Sequence, residues 1–201
     1  MTRPYTLRRR AEQRAETRRR IVEAAVDLHG SVGPARTTFS MIAEQAGVQR
    51  HTLYAHFPDE RSLLSACSGL VAERDPMPEA EPWQANGDPR RRLHEGLSAI
   101  YAWFDRNAAL LAAVLRDAET HAHTREAVEM RIGPFMTSYR EVLGAGLNRE
   151  QRALLELALS FFTWRTLVRQ SGLKSAIAAE KMVHAVDGAK KPKRRGPSTP
   201  P

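Results

Sequence analysis

The 201-residue sequence contains one cysteine and no long uninterrupted apolar segment. A lone Cys67 excludes an internal disulfide and a cysteine-rich zinc site. The most apolar stretch, residues 154–167, contains Glu156 and Arg165, whereas a membrane-spanning helix needs about 18 uncharged apolar residues. The first residues also lack the apolar segment of a signal peptide. These features predict a cytoplasmic protein that is not inserted in a membrane.

Recognisable catalytic and metal-binding patterns are also missing. The Ser, His and Asp residues are scattered without the spacing of a nucleophile and its base, and no paired carboxylate set stands out. His121 and His123 are one residue apart, but no cysteine or carboxylate joins them at a spacing suited to a metal ion. We interpret them as a solvent-exposed pair at a helix end. The sequence therefore predicts neither an enzyme nor a bound metal or cofactor.

Positive charge is concentrated at the two ends of the chain. The net charge is +8, but residues 1–20 hold eight arginines against two glutamates, and residues 190–201 hold five lysines or arginines and no acid. The other residues carry 18 basic and 21 acidic groups, so the body of the protein is mildly acidic. Clustered positive charge is typical of contact with phosphate, and the alternative is a basic end that serves only solubility.

Apolar residues recur three or four positions apart along nearly the whole chain, and the alternation typical of strands is absent. This pattern predicts an all-α protein. Gly30, Gly47 and the Pro58-Asp59 pair mark helix ends in the N-terminal part, and Asp59 can cap the helix that follows. The predicted helices cover residues 7–30, 37–46, 49–57, 59–74, 90–107, 108–121, 124–147, 150–171 and 174–186.

Three segments are expected to interrupt or end the helices. Residues 75–89 contain four prolines and one glycine and form the clearest linker. Gly133-Pro134 is expected to kink or break the helix over 124–147. Residues 188–201 have no apolar side chains to bury and are predicted to be disordered.

The clearest motif lies at residues 38–57, which read TFSMIAEQAGVQRHTLYAHF. Two short helices joined at Gly47 must pack on each other and on a third helix. Gly47 can adopt the positive φ of a tight turn without a Cβ penalty, and Val48 then fills the corner. The apolar side chains expected in this core are Phe39, Ile42, Ala43, Ala46, Leu53 and Phe57.

The other face of the second helix is rich in hydrogen-bond donors and has no acid. Such a face suits a recognition helix in the major groove of DNA, where base edges present donors and acceptors that differ between base pairs. Arg50 can pair with O6 and N7 of a guanine, and Tyr54 can reach a backbone phosphate. His51 and Thr52 suit short contacts to bases or phosphates. A helical hairpin with a merely polar surface is the alternative.

The stretch IAEQAGVQRHTLYAHFPDERSLL, residues 42–64, resembles the signature of TetR-family transcriptional regulators. The resemblance is tight over about residues 15–65 and only architectural beyond them. In this family, DNA is contacted by the threonine before the first helix of the motif, the polar position two residues on, the recognition helix and its tyrosine. The resemblance therefore implies DNA contacts from Thr38, Ser40, Arg50, His51, Thr52, Tyr54 and His56.

Two positions depart from the family pattern. A phosphate-binding lysine is common at the start of the helix after the motif, where this chain has Glu60 followed by Arg61. Either Arg61 takes over this contact or the contact is lost, and we include Arg61 among the expected DNA contacts. Position 55, often large or basic in the family, is Ala55, which either touches a thymine methyl or makes no contact.

The basic start of the first helix fits the same function. Its arginines precede the part of the helix that packs, so they can form an arm that reaches the DNA backbone or the adjacent minor groove. Each phosphate that they neutralise would steepen the salt dependence of binding. A solvated arm that serves only solubility is the alternative. The arginines of this arm are Arg8, Arg9, Arg10 and Arg14.

The resemblance implies an N-terminal three-helix helix-turn-helix DNA-binding domain and a C-terminal helical ligand-binding and dimerisation domain. We predict the DNA-binding domain, with its basic arm, at residues 1–58, and a connecting helix at residues 59–74. The ligand-binding and dimerisation domain follows at residues 75–187. A disordered basic tail is predicted at residues 188–201.

Residues 150–171 are apolar on more than one face. A helix that is apolar all round is buried on both sides, here against its own domain and against a second copy of the chain. In the TetR family the last two long helices form such a dimer interface, and a dimer reads two half-sites of a palindrome. A purely intramolecular core is the alternative. The residues predicted at the interface are Leu155, Leu159, Phe162, Thr166, Ile177 and Val183.

Bulky side chains after the linker are the candidates for a small-molecule site, because the resemblance implies a ligand cavity between these helices. Aromatic residues at helical spacing are otherwise ordinary core. The effector predicted for such a site is apolar or aromatic. The predicted lining residues are Tyr101, Trp103, Phe104, Met130, Phe135, Tyr139, Phe161 and Trp164.

These patterns together predict a repressor that binds a palindromic double-stranded DNA operator as a homodimer and is released by a small-molecule effector. The two reading helices must lie about one DNA turn apart, roughly 34–36 Å. An effector that prefers another spacing lowers operator affinity, and the helix at residues 59–74 is the expected lever. The alternative is a DNA-binding regulator that has no small-molecule ligand or is controlled by a protein partner.

Overall fold

The computed structural model describes the backbone of residues 3–189 and the side chains of residues 8–189. Every regular element in this range is helical and no strand occurs in it, which confirms the predicted all-α class. None of the helices in this range has the length and apolar content that a membrane span requires. Residues 190–201, which make up most of the predicted tail, lie outside the described residues.

Short segments connect the helices. Two of these connections contain a turn of helix of another type, a 3-10 turn at Pro34–Arg36 and a π-helical turn at Thr166–Gln170. In chain order the helices are α1 (Arg3–Ser31), α2 (Phe39–Gln45), α3 (Arg50–His56), α4 (Glu60–Arg74), α5 (Glu81–Gln84), α6 (Pro89–Arg106), α7 (Ala108–Ala118), α8 (Ala122–Leu143), α9 (Arg149–Leu159), α10 (Phe161–Arg165) and α11 (Ser175–Gly188).

The chain divides into two compact units. Among the described residues, unit 1 contains those up to Met77 together with Arg106–Phe135, and unit 2 contains Pro78–Asp105 together with those from Met136 onwards. Residues 106–135 therefore belong to the same compact unit as the N-terminal helices. The boundaries predicted at residues 58, 74 and 187 divide the chain by function and not by packing. They therefore stay a prediction.

The core of unit 1 lies between α1, α2, α3 and α4. The predicted core side chains at the helix-turn-helix are all in this cluster, most of them fully buried and Phe39 and Val48 partly buried. Gly47 adopts a φ of 63°, as a tight turn between α2 and α3 requires. Asp59 caps α4 by accepting a hydrogen bond from the Ser62 amide at 2.7 Å, which confirms the predicted cap.

Helix α7 packs on α1 within unit 1. The end of α1 approaches α7 closely at Gly30, where a Cβ atom would lie 3.9 Å from the backbone of Leu110. The buried carboxylate of Asp117, near the end of α7, accepts a hydrogen bond from the Ala35 amide at 2.9 Å. Asp117 thereby fixes the turn that leads from α1 into α2.

Unit 2 is built around α6, whose buried face carries Leu93, Leu97 and Ile100. Helix α11 packs on α9, and the Gln151 side chain donates a hydrogen bond to the Val186 carbonyl at 3.2 Å. Gln151 also completes a capping box with Asn148 at the start of α9. The last helices of the chain are thus joined by buried polar contacts as well as by apolar packing.

The helix predicted over residues 150–171 is wrong as a single element. It ends at Leu159, because Ser160 is extended (φ −74°, ψ 127°) and caps α10 by accepting from the Phe162 amide at 3.2 Å. The predicted break at Gly133-Pro134 is also absent, since α8 continues through Pro134. The predicted linker at 75–89 contains the short helix α5, whose Trp83 is buried.

Candidate nucleic-acid interface and effector region

Helix α3 is held to unit 1 by one face only. Leu53 is the buried residue within the helix and is 0% exposed, and Phe57 at the C-cap is 1% exposed. The seven-residue helix therefore rests on two apolar contacts spaced four residues apart. Its opposite face is free to carry polar side chains.

That opposite face is exposed and contains no acidic residue. Arg50 and His51 are exposed at the start of α3, and Tyr54 is 46% exposed with its ring 5.1 Å from the ring of Phe39. The Thr52 hydroxyl lies 3.4 Å from Nε2 of His51, so these two neighbours form one polar patch. Donors of this kind can address base edges and phosphates in a major groove.

The start of α2 contributes two further exposed hydroxyls, those of Thr38 and Ser40. Thr38 is the N-cap of α2, and its hydroxyl oxygen accepts a hydrogen bond from the Met41 amide at 3.3 Å. Because the amide uses the oxygen as acceptor, the hydroxyl hydrogen is free to be donated to a phosphate oxygen. The cap and a phosphate contact are therefore compatible at this residue.

The basic side of α1 adjoins the end of α3. The pKa of His56 is lowered by partial burial first, and then by the positive charges of Arg14 and Arg18. The guanidinium of Arg18 lies over the Phe57 ring, 4.8 Å from its centre. Sequence reasoning included Arg14 but missed Arg18, although their spacing of four residues puts both on the same face of a helix.

Arg61 is engaged within unit 1. Its guanidinium lies 2.7 Å from a carboxylate oxygen of Glu126 on α8, and the neighbouring Glu60 lies 3.4 Å from Nε2 of His121. The start of α4 is thus linked to the start of α8 by two ionisable pairs. The Arg61–Glu126 pair competes with the phosphate contact expected of Arg61.

His121 and His123 are both half-buried rather than a purely solvent-exposed pair. Nδ1 of His121 lies 2.8 Å from the Thr124 hydroxyl, and the two imidazole rings are 6.0 Å apart. Among the residues that the structure describes, no group of three or more His, Cys, Asp or Glu side chains is arranged to hold a metal ion.

Most residues predicted for the effector site form an aromatic cluster in unit 2. The Phe104 ring lies 5.5 Å from Phe161, 6.1 Å from Trp164 and 6.1 Å from Tyr101. Trp103 adjoins the same ring at 5.9 Å. We call this set, Tyr101, Trp103, Phe104, Phe161 and Trp164, the aromatic cluster.

The other three predicted lining residues lie elsewhere. Tyr139 is fully buried in unit 2, where its ring is 5.4 Å from Trp83. Phe135 is half-buried and Met130 is 66% exposed, and both belong to unit 1.

The residues predicted at the dimer interface fall into two groups. Leu155, Leu159 and Val183 are at most 2% exposed inside unit 2, so they offer no surface to a second copy. Phe162, Thr166 and Ile177 are exposed.

Sequence reasoning missed Leu157, which is 54% exposed and is the most exposed leucine of this region. The break at Ser160 changes the direction in which the side chains of α10 point relative to α9. The prediction of a single helix over residues 150–171 therefore gave the wrong exposed face for α9. Ser160 itself, a favoured N-cap residue within an apolar run, was the available indication.

Comparison with known proteins gives three relevant similarities. The family model described as bacterial regulatory proteins of the tetR family matches residues 21–67, which include α2, α3 and the packing part of α1. The HTH-type transcriptional regulator TtgR of Pseudomonas putida is 38% identical over 96 residues, which are 47% of this chain and 46% of the relative. An HTH-type transcriptional regulator of Mycobacterium bovis is 28% identical over 194 residues, 89% of this chain and 96% of the relative.

The match to the first curated relatives spans about half of their length. A fold match extends further: the structure of NalD, the secondary repressor of the MexAB-OprM multidrug efflux pump in Pseudomonas aeruginosa, has a TM-score of 0.63 at 24% identity and covers 88% of this chain and 96% of that one. The family model on the helix-turn-helix, the curated relatives and the shared fold over most of the chain together support a TetR-family transcriptional regulator.

Proposed function

We propose that the protein is a repressor that binds a palindromic operator as a homodimer and is released by a small-molecule effector. The observation that carries this proposal is the exposed, acid-free face of α3, beside which α1 presents Arg14 and Arg18. A face of this composition suits a major groove, and flanking arginines suit the phosphates at its edge. NalD, which is similar in fold, is a repressor, and this similarity supports repression here.

Selection of genomic DNA fragments by the purified protein tests the proposal directly. A homodimer is expected to select a palindrome whose half-site centres are about 10 base pairs, or a multiple of one helical turn, apart. Binding of fragments without a shared sequence would contradict operator recognition. A single half-site without a symmetric partner would contradict the homodimer.

Arg50→Ala is expected to relax discrimination at one base pair of each half-site by about 1–3 kcal/mol, because Arg50 is the exposed side chain of α3 able to bind a guanine with two hydrogen bonds. Binding to the selected operator and to the same operator changed at single positions gives the measurement. Arg9→Ala on the α1 arm is the matched control, since loss of a phosphate contact weakens all these sequences alike. A uniform loss for Arg50→Ala would contradict base reading by this residue.

Glu126→Gln is expected to strengthen operator binding, because it releases Arg61 from its 2.7 Å ion pair. A released Arg61 that reaches a phosphate should steepen the plot of log affinity against log salt by about 0.9. Glu129→Gln is the control, as it removes the same charge from an exposed position on α8. Equal salt slopes for the two variants would mean that Arg61 does not contact DNA.

The homodimer is supported by exposed apolar side chains in the last helices. Leu157, Phe162 and Ile177 are between 37% and 54% exposed. Large apolar side chains exposed on a surface are typical of an interface between subunits. We therefore propose that the interface uses Leu157 together with Phe162, Thr166 and Ile177.

A second candidate is a regulator without a small-molecule ligand, or one controlled by a protein partner. The aromatic cluster favours it, because its rings contact one another and are at most 5% exposed. An experiment with cell extract distinguishes the two candidate functions. The extract is fractionated by molecular mass, and each fraction is added to the protein bound to its operator. Release by the low-mass fraction supports the effector, and release only by the protein fraction supports the second candidate.

A further inference from the structure

The hydroxyl of Tyr101 is buried without a hydrogen-bond partner. Tyr101 lies on α6 and is 0% exposed, and no group of the described residues is within hydrogen-bonding distance of its hydroxyl. Buried hydroxyl groups nearly always have a partner, because an unpaired one has lost its hydrogen bonds to water. An orphaned hydroxyl in the middle of a core therefore calls for an explanation.

Comparable groups in unit 2 are paired. The hydroxyl of Tyr139, which is equally buried, donates to the Pro78 carbonyl at 2.6 Å. The indole Nε1 of Trp164 donates to the Ser175 hydroxyl at 3.2 Å. Tyr101 is thus the exception in a unit that otherwise satisfies the polar atoms of its buried aromatic side chains among the described residues.

Tyr101 lies beside another aromatic side chain. Its ring is 6.1 Å from Phe104, and both residues belong to the aromatic cluster. Burial raises the pKa of Tyr101 above its usual value. The hydroxyl therefore keeps its proton near neutral pH and can donate it in a hydrogen bond.

We propose that the Tyr101 hydroxyl is the hydrogen-bonding group of the effector site and that the effector is a largely aromatic molecule that brings one hydrogen-bond acceptor to it. The inference rests on the proposed effector response. Rings of the aromatic cluster would contact the apolar part of the effector, and the hydroxyl would donate to a carbonyl or ether oxygen.

The test uses two fluorinated probes of nearly the same shape, 4-fluoroacetophenone and 1-fluoro-4-isopropylbenzene. They differ in that the first carries a carbonyl acceptor. Fluorine NMR line broadening with the full chain gives the affinity of each probe without DNA. The wild-type protein is expected to prefer the ketone by about tenfold, the size of one hydrogen bond. Tyr101→Phe should lose this preference and still bind the isopropyl probe.

A second measurement uses the protein without probe. Tyr101→Phe removes the orphaned hydroxyl and should leave the urea midpoint of unfolding unchanged or higher, whereas Tyr139→Phe removes a paired hydroxyl and should lower it. A lower midpoint for Tyr101→Phe, equal binding of the two probes, or no binding of either would overturn the assignment of Tyr101. Because these measurements contain no DNA, a negative result would not contradict operator recognition. A failed operator selection would likewise not affect the measurements on Tyr101.

Discussion

Leu53→Ala is expected to lower the free energy of unfolding of unit 1 by about 2–5 kcal/mol, the usual cost of truncating a fully buried leucine. Leu53 is 0% exposed and is the buried position within α3. Loss of its side chain leaves Phe57 as the main apolar anchor of the recognition helix. Operator binding should therefore fall with stability, although Leu53 touches no DNA.

Circular dichroism and tryptophan emission together distinguish a local loss of α3 from unfolding of the whole protein. The three tryptophans, Trp83, Trp103 and Trp164, all lie in unit 2, so tryptophan emission reports on that unit. Urea unfolding followed by circular dichroism should shift to lower urea in Leu53→Ala, and the emission of the folded protein should stay as in the wild type. Ala55→Ser, at an exposed position of the same helix, is the control and should change stability by less than about 0.5 kcal/mol. A shift in Leu53→Ala no larger than in the control would contradict the anchoring role.

The helix-turn-helix was predictable because its determinants are local. Gly47 and Val48 follow directly on α2, and Leu53 and Phe57 repeat at the helical spacing of four. Each choice depends on neighbours within one or two turns, so the sequence pattern is sufficient. The exposed face of α3 follows from the same spacing, so the sequence alone predicts which residues lie on it.

The faces of the last helices were not predictable in the same way. Ser160 ends α9 within a stretch that is rich in apolar residues on both sides of it. Periodicity drawn across this break gave Leu155 and Leu159 an outward position, and both are buried. Pro134 shows the opposite error, because α8 continues through a residue that usually ends a helix. The break at Ser160 thus depends on a local cap, and the apolar periodicity around it did not reveal it.

Contacts between distant segments were equally hidden. The pairing of Arg61 with Glu126 joins residues from α4 and α8, and no local pattern relates them. The same holds for Asp117, whose contact with the Ala35 amide spans 82 positions. Such pairs depend on how α7 and α8 pack in unit 1, and a single sequence carries no information on that packing.

His29 near the end of α1 gives unit 1 a dependence on pH. The residue is 6% exposed, and its burial lowers the pKa from 6.5 to about 4, against the opposing influence of Asp117. Arg116, which pairs with Asp117 at 2.7 Å, partly offsets the charge of that carboxylate. The folded protein therefore keeps His29 neutral at pH values where the unfolded chain takes up a proton.

The sign of the effect follows from proton binding. Between pH 6.5 and about 4 the unfolded chain binds more protons at this residue than the folded protein does, so acid favours unfolding. The stability that neutral His29 contributes is complete above pH 6.5 and is lost as the pH falls through about 4. The full loss is about 3 kcal/mol, with a slope of up to about 1.4 kcal/mol per pH unit.

Urea unfolding of the wild type and of His29→Gln, repeated between about pH 7.5 and about pH 4.5, measures this contribution. The free energy of unfolding should fall much less steeply with falling pH in His29→Gln than in the wild type, because glutamine takes up no proton. His94→Gln, which removes an exposed histidine on α6, is the control for loss of an imidazole. His56, whose pKa is also lowered, and the carboxylates of Asp59 and Asp117 remain in both variants and account for the residual decline at lower pH. An undiminished slope in His29→Gln would show that the buried imidazole is not the source of acid sensitivity.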